Sequence, residues 1–216
     1  MQKRELDAKD FEFFVGLPDD NDEFLHSWSS ESLTKATLQM PGDVPFFSLF
    51  HQNPAFSYCL KHKESGKIVA LSGTQSLKYY CNRILEVGPE LLKSTTMSNE
   101  AKKLIKMNID SIPSDVKLPD NYMAVHNAGL LVEQNYRGCQ INGMSVGEYL
   151  FKAKLEWLTK IARKLGFNGL ILFTNANNEG SARIFRKYMK LRKCVDYATL
   201  EINHPGSFSS FVYQSD

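Results

Sequence analysis

The sequence predicts an α+β fold, one mixed central β-sheet flanked by helices, and three features carry that expectation. Two β-prone runs, Ser57 to Lys63 and Lys67 to Leu77, flank the turn Glu64-Ser-Gly-Lys67, which is the pattern of an antiparallel hairpin. Two apolar runs, Leu130-Leu-Val132 and Leu170-Ile-Leu-Phe173, have no polar break and suit strands covered on both faces. Between them lies a long amphipathic helix pattern, so strand, helix and strand form a right-handed βαβ unit.

The remaining elements follow in order. Phe11 to Val15 reads as a first strand, ended by Gly16 and Pro18. Asp20 or Asn21 can cap two helical pieces carrying Phe24, Leu25, Trp28, Leu33 and Leu38, interrupted near Ser29-Ser30. Phe46 to Phe56 is an aromatic connector that propensity does not assign. Within 85–119, Ala101, Leu104, Ile105, Ile109 and Ile112 give a helix, with Ser98 or Asn99 as cap and Pro113 as stop. Tyr122 to Val132 is a strand. Leu150, Ala153, Trp157, Leu158, Ile161, Ala162 and Leu165 line one helix face, with Lys152, Lys154, Glu156, Lys160 and Lys164 placed off it and Gly166 as its end. A polar turn from Asn175 to Ser181 opens a short helix with Ala182, Ile184, Phe185, Tyr188 and Met189. Cys194 to Ile202 alternates as a strand, and Phe208 to Tyr213 is its antiparallel partner.

Composition bounds the function. The chain has 216 residues, 43% of them hydrophobic, and no linker-like stretch, so one domain over 1–216 is expected. Its 26 basic and 24 acidic residues leave a net charge of +2, too small for a nucleic-acid-coating protein. The densest basic group, Arg183, Arg186, Lys187, Lys190, Arg192 and Lys193, reads as a solvated face. Cys59, Cys81, Cys139 and Cys194 lack metal-ligand spacing, which suits reduced thiols and a cytoplasmic protein. No apolar run reaches the length of a membrane span, so no membrane partner is expected.

The stretch from Gly129 to Gly147 reads as strand, glycine-bearing turn and helix start. Such a helix start offers unpaired backbone N–H groups and partial positive charge, and both favour an anion. Gly138, Gly143 and Gly147 permit close backbone approach, and Arg137 adds a full charge. The same residues also fit an ordinary Gly-rich connection between strand and helix.

Val132-Glu-Gln-Asn-Tyr-Arg-Gly138 after a buried strand, the helix ending in Lys164-Leu-Gly-Phe167, and Asn177-Asn-Glu-Gly-Ser-Ala-Arg-Ile-Phe-Arg-Lys187 carry a family resemblance. They resemble the acetyl-CoA-binding half of the GCN5-related N-acetyltransferases, the GNAT superfamily, and most of all the invertebrate arylalkylamine (dopamine-like) members. Residues 128–200 carry the resemblance well, and the order of elements extends it over most of the chain. The family's turn reads Arg/Gln-x-x-Gly-x-Gly/Ala, whereas here Gln140 and Asn142 stand at the small positions. An alternative register from Gln140 to Ser145 places Gly143 and Ser145 there, and either register implies an inserted turn before the helix.

The resemblance implies a GNAT fold, acetyl-CoA as co-substrate and a small-molecule amine as partner. It places the cofactor against Leu131, Val132, Arg137, Gly138, Cys139, Gln140, Ile141, Asn142, Gly143 and Asn177. It assigns the general base to Glu31, in Ser30-Glu-Ser-Leu33, and thiolate protonation to Ser181 near a helix start, since the family's usual Tyr is replaced by Arg186. Glu31 also fits a solvated linker acid, and Ser181 a helix-capping serine. His126 reads as a packed residue rather than a relay base, and Cys139 as a small loop residue. Two other readings stay open: a silent acyl-CoA-binding or regulatory module, and an acetyltransferase of amino acids or protein amines.

Overall fold

The computed structural model describes residues 4–16, 57–112, 120–202 and 206–215. In chain order their elements are β1 (Glu5–Leu6), β2 (Phe11–Val15), β3 (Ser57–His62), β4 (Ile68–Ser76), α1 (Leu77–Lys93), α2 (Asn99–Asp110) and β5 (Tyr122–Val132). There follow β6 (Gln140–Ile141), β7 (Met144–Ser145), α3 (Val146–Lys164), β8 (Gly169–Ala176), α4 (Glu179–Tyr188), β9 (Lys190–Asp196) and β10 (Ser207–Gln214). The main sheet has the order β2-β3-β4-β5-β8-β10-β9, and a small second sheet has the order β1-β6-β7. The β2-β3-β4 pairings are antiparallel, β5 and β8 are parallel, and β10 runs antiparallel to β8 and β9. The expected α+β class, with one mixed central sheet and flanking helices, is borne out. Among the described residues no helix is long and apolar enough to cross a membrane.

The described residues fall into two compact units, one of residues up to 74 with 128–160, the other of 75–127 with the described residues of 161–216. In the first unit the expected hairpin forms, and Gly66 takes the left-handed conformation its turn requires, with φ +68°. Tyr58, 1% exposed, sets its ring edge-on to Trp157 with centroids 5.4 Å apart and stacks on Phe13 at 6.2 Å. Burial pushes the Cys59 thiol up to about 12, so it behaves as a small apolar group in β3.

In the second unit α1 starts at Leu77, where the sequence placed the end of a strand, and Ser76 caps it by accepting from the Tyr79 amide at 3.4 Å. Gly88 and Pro89 look like helix breakers, yet α1 continues through both. A Cβ on Gly88 would lie 2.7 Å from Ile109 Cδ1, so the glycine permits α1 to approach α2 closely. The helix expected before Pro113 is α2, and α1 is an additional helix that the sequence pattern did not place. Ser98 supplies the foreseen cap of α2, accepting from the Ala101 amide at 3.2 Å. Leu77 and Tyr80 of α1 pack on Ile171 and Phe173 of β8, while Leu104 and Met107 of α2 pack with Tyr197, Ile202 and Phe208.

The strand expected over 194–202 lies earlier, because β9 ends at Asp196 and Tyr197–Leu200 winds into a 3-10 turn. The buried Tyr197 ring, drawn into the α2 core, competes successfully with continued pairing. Gly166, with φ +87°, ends the long helix as expected. Phe208 and Phe211 are fully buried core residues, Phe211 edge-on to Phe185 at 5.7 Å. In the basic group, Arg186 pairs with Glu179 at 2.6 Å, and Arg192 lies over the Phe173 ring at 5.4 Å while donating to the Ser111 carbonyl at 3.2 Å. The aromatic connector 46–56 and the two early helical pieces lie outside the described residues.

Candidate active site

The ladder between β5 and β8 runs from Tyr122↔Gly169 to His126↔Phe173, and β5 continues past it to Val132. Leu131 and Val132, both half-buried, therefore sit on a strand end that extends beyond the ladder with β8. Gly129 in this segment has φ +124°, a conformation open to glycine and costly for other residues. The strand end is tied to β4 by the Glu133 amide, which donates to the Val69 carbonyl at 2.9 Å.

A 3-10 turn, Gln134–Tyr136, follows, and the exposed Arg137 folds back so that Nε donates to the Val132 carbonyl at 2.9 Å. Gly138 has φ +88° with no atom within 4 Å of a notional Cβ, leaving an open backbone surface. Cys139 is buried, and its Sγ donates to the Asn135 carbonyl at 3.7 Å, in keeping with a loop residue rather than a nucleophile.

The inserted turn foreseen before the helix is a β-hairpin. β6 and β7 pair antiparallel around Asn142 and Gly143, whose φ values of 51° and 72° are those of a type I′ turn. Asn-Gly is the strongest short-range signal for such a turn, and it was present in the sequence. Gln140 and Ile141 thus serve as strand residues, with Ile141 fully buried, while Asn142 and Gly143 form the exposed tip. Arg4 to Leu6 brace the hairpin: β1 lies parallel to β6, the Gln140 amide donates to the Arg4 carbonyl at 2.9 Å, and the Gly143 amide donates to Glu5 Oε1 at 3.0 Å. A carboxylate of the chain's own therefore holds one predicted phosphate donor.

The hairpin feeds directly into α3. Ser145 Oγ accepts from the Glu148 amide at 3.3 Å, the geometry of a helix cap, so the amides of Val146 and Gly147 open the helix beside the hairpin. Gly138 leaves its backbone open to close approach, and a helix start such as that of α3 offers amides of the kind that favour an anion.

The second unit holds Asn177 and Ser181. Asn178 caps α4, its Oδ1 accepting from the Ser181 amide at 2.8 Å. The capping role open to Ser181 thus falls to Asn178, and the half-buried Ser181 stands in the first turn. The carbonyl of the exposed Asn177 accepts from the Tyr197 hydroxyl at 3.0 Å, and burial raises that phenol to about 12, so it stays a donor at neutral pH. Asn178→Ala is expected to cost about 1 kcal/mol of stability, read as a shifted denaturant midpoint, whereas Ser181→Ala changes that midpoint little.

Two polar clusters were not visible in the sequence. His126, 7% exposed, stacks on Tyr80 with centroids 3.5 Å apart and lies 3.2 Å from Gln75 Nε2, in keeping with a packed histidine. Asn175 Nδ2 faces three acceptors, Tyr80 Oη and Asn108 Oδ1 at 3.1 Å and Ser111 Oγ at 3.2 Å. Burial raises the Tyr80 phenol, so it stays protonated. The second cluster centres on Lys154, which is fully buried although the sequence placed it off the helix's apolar face. Its place between Leu150 and Leu158, one turn from each, was the available signal. Conversely Leu165, placed on that face, is 66% exposed. Glu31 lies outside the described residues, and among those described no group of acidic, His and Cys side chains could hold a metal.

No protein-family model matches the chain, and no curated protein matches it in sequence. Solved structures do match in fold. An apo agmatine N-acetyltransferase variant aligns at 16% identity and a TM-score of 0.61, covering 95% of this chain and 100% of its own. A polyamine N-acetyltransferase from Drosophila melanogaster aligns at 14% identity and a TM-score of 0.56, covering 94% and 100%. A mosquito arylalkylamine N-acetyltransferase-like protein aligns at 14% identity and a TM-score of 0.54, covering 95% and 100%. The chain therefore has the fold of the GNAT acetyltransferases.

Proposed function

We propose that the chain is a single-domain, acetyl-CoA-dependent N-acetyltransferase that transfers an acetyl group directly to the amine of a small acceptor. The observation that supports this best is the run from β5 through the Asn142–Gly143 hairpin to the capped start of α3. It combines a strand end running past the ladder with β8, a hairpin and a capped helix start whose free amides suit an anion. The cofactor supplies the activated acetyl thioester. Arg137, Gly138 and the amides that open α3 would hold its diphosphate; Asn177, which the sequence resemblance also assigns to the cofactor, belongs to the second unit.

A backbone N–H near Leu131 or Val132 would donate to the oxygen of the reacting carbonyl. Glu31 would accept the amine proton, directly or through water, because a primary amine is mostly protonated at neutral pH. Ser181 would return a proton to the departing thiolate. An arylalkylamine acceptor follows from the sequence resemblance. The like-folded agmatine, polyamine and arylalkylamine enzymes make small amines the first acceptors to try. The four free cysteines are compatible with a reducing, cytoplasmic setting.

Ser181→Ala is expected to lower kcat about tenfold or more while leaving KM for acetyl-CoA within about twofold. An unchanged kcat removes Ser181 from the reaction. A second reading, a silent acyl-CoA-binding module, draws on the Glu5 carboxylate at the Gly143 amide. Calorimetric titration with CoA tests the cofactor site: saturable binding is expected, and no heat up to millimolar CoA argues against both readings. Binding without any acetyl transfer favours the module.

A further inference from the structure

Lys154 is fully buried on α3, and its Nζ donates to Ser72 Oγ on β4 at 2.6 Å. The Ser72 hydroxyl in turn donates to the Gly129 carbonyl of β5, also at 2.6 Å. The Gly73 carbonyl lies 3.5 Å from the same Nζ, and the rings of Phe151 and Tyr58 stand at 5.2 and 5.7 Å. All six residues belong to the first unit.

Burying an amine is costly, and an aliphatic side chain at this point of an apolar helix face would be cheaper to bury. Burial pulls the Lys154 amine well below its ordinary value, a further sign of that cost. The lysine does something that a methionine cannot. A serine hydroxyl has one proton and two lone pairs, so an N–H donated to its oxygen leaves the proton to be directed elsewhere, here to Gly129. Gly129 lies on the part of β5 that extends past the β8 ladder, two residues before Leu131. Its φ of +124° is a conformation open to glycine and costly for other residues.

We propose that Lys154, acting through Ser72, is a positioning residue that holds residues 129–132 of β5 in the conformation acyl transfer requires. This rests on the acetyltransferase reading, because the strand end matters to catalysis only if its backbone N–H groups meet the reacting carbonyl. The relay acts on geometry, and neither side chain takes up or gives a proton in the reaction.

The test compares Ser72→Ala, Ser72→Thr and Lys154→Met in the full chain by steady-state kinetics, thermal unfolding and amide hydrogen exchange. Ser72→Ala and Lys154→Met are expected to lower kcat about 10- to 100-fold with KM for acetyl-CoA little changed, and Ser72→Thr, which keeps the hydroxyl, to recover most of the loss. The Glu133 amide, which anchors the strand end to Val69, is expected to exchange about tenfold faster in the first two variants. Wild-type kcat in Ser72→Ala, or a loss that Ser72→Thr does not recover, overturns the proposal. Should Lys154→Met fail to fold, Ser72→Ala carries the test. If the wild-type chain transfers no acetyl group, it is the acetyltransferase reading that fails. Hydrogen exchange then still decides the relay, and unchanged protection of 129–133 overturns it.

Discussion

Glu31→Gln is expected to lower kcat about 100-fold or more at pH 7 while leaving KM for acetyl-CoA within about twofold. The reasoning rests on the acceptor's chemistry. A primary alkylamine has a pKa near 10, so only about one molecule in a thousand is neutral at pH 7. In the proposed role the Glu31 carboxylate would accept the surplus proton within the complex, and the isosteric amide could not. The direction of the pH dependence follows. Raising the pH neutralises the amine in solution, so kcat/KM of the variant should climb about tenfold per pH unit until the amine's own pKa is approached. The deficit relative to wild type should therefore shrink between pH 7 and 10. A variant with the wild-type profile would return Glu31 to the role of a solvated acid.

Gly169→Ala should be the most damaging of the mild core substitutions, lowering stability by about 2–3 kcal/mol. Gly169 opens β8 opposite Tyr122 of β5. A Cβ there would lie 2.7 Å from Tyr122 Cε1, 2.8 Å from Ser215 Oγ and 2.9 Å from the Ser215 carbonyl oxygen. The last is backbone and cannot swing aside. The Ser215 hydroxyl is also committed, accepting from the Leu170 amide at 2.8 Å, while the Ser215 amide donates to the Leu170 carbonyl at 2.9 Å. Accommodating a methyl group therefore breaks or stretches the tie between the chain's end and β8. For a chain of this size the loss corresponds to a fall in Tm of about 4–12 °C. A Tm within a degree of wild type would mean that the 215 segment relaxes freely.

The parts of the fold written in periodicity were legible. Leu130 to Val132 and Leu170 to Phe173 became buried or half-buried strands, because unbroken apolar runs have few other solutions in a sheet. Gly166 ended α3 where a left-handed residue was required. Legibility failed where tertiary contacts overrode local preference. No helix was expected over 77–93, where Gly88 and Pro89 disfavour one, yet packing of α1 against Ile109 keeps it continuous. Tyr197 read as a strand residue, and its burial with Leu104 and Met107 draws the chain into a 3-10 turn.

At the site, the helix start was legible in outline and the hairpin was not. Asn142 and Gly143 were read as parts of a phosphate-binding turn, when the pair together specifies a type I′ hairpin turn. Long-range partners were hidden entirely. Nothing local announces that Glu5 meets the Gly143 amide or that Lys154 meets Ser72. Charge also misleads, since a lysine is normally placed on the solvent face of a helix and Lys154 is not. Where the sequence places a glycine-bearing turn after β5, the structure has a hairpin leading into α3 and a carboxylate on the Gly143 amide.

The most direct test is thiol release by the full chain from acetyl-CoA, measured against a panel of arylalkylamines, agmatine, polyamines, amino sugars, amino acids and peptide amines. Amine-dependent release that saturates in at least one small amine, with the acetylated amine recovered as product, is the predicted result. Release with none of the panel, from a protein that still binds CoA, would contradict the acetyltransferase function.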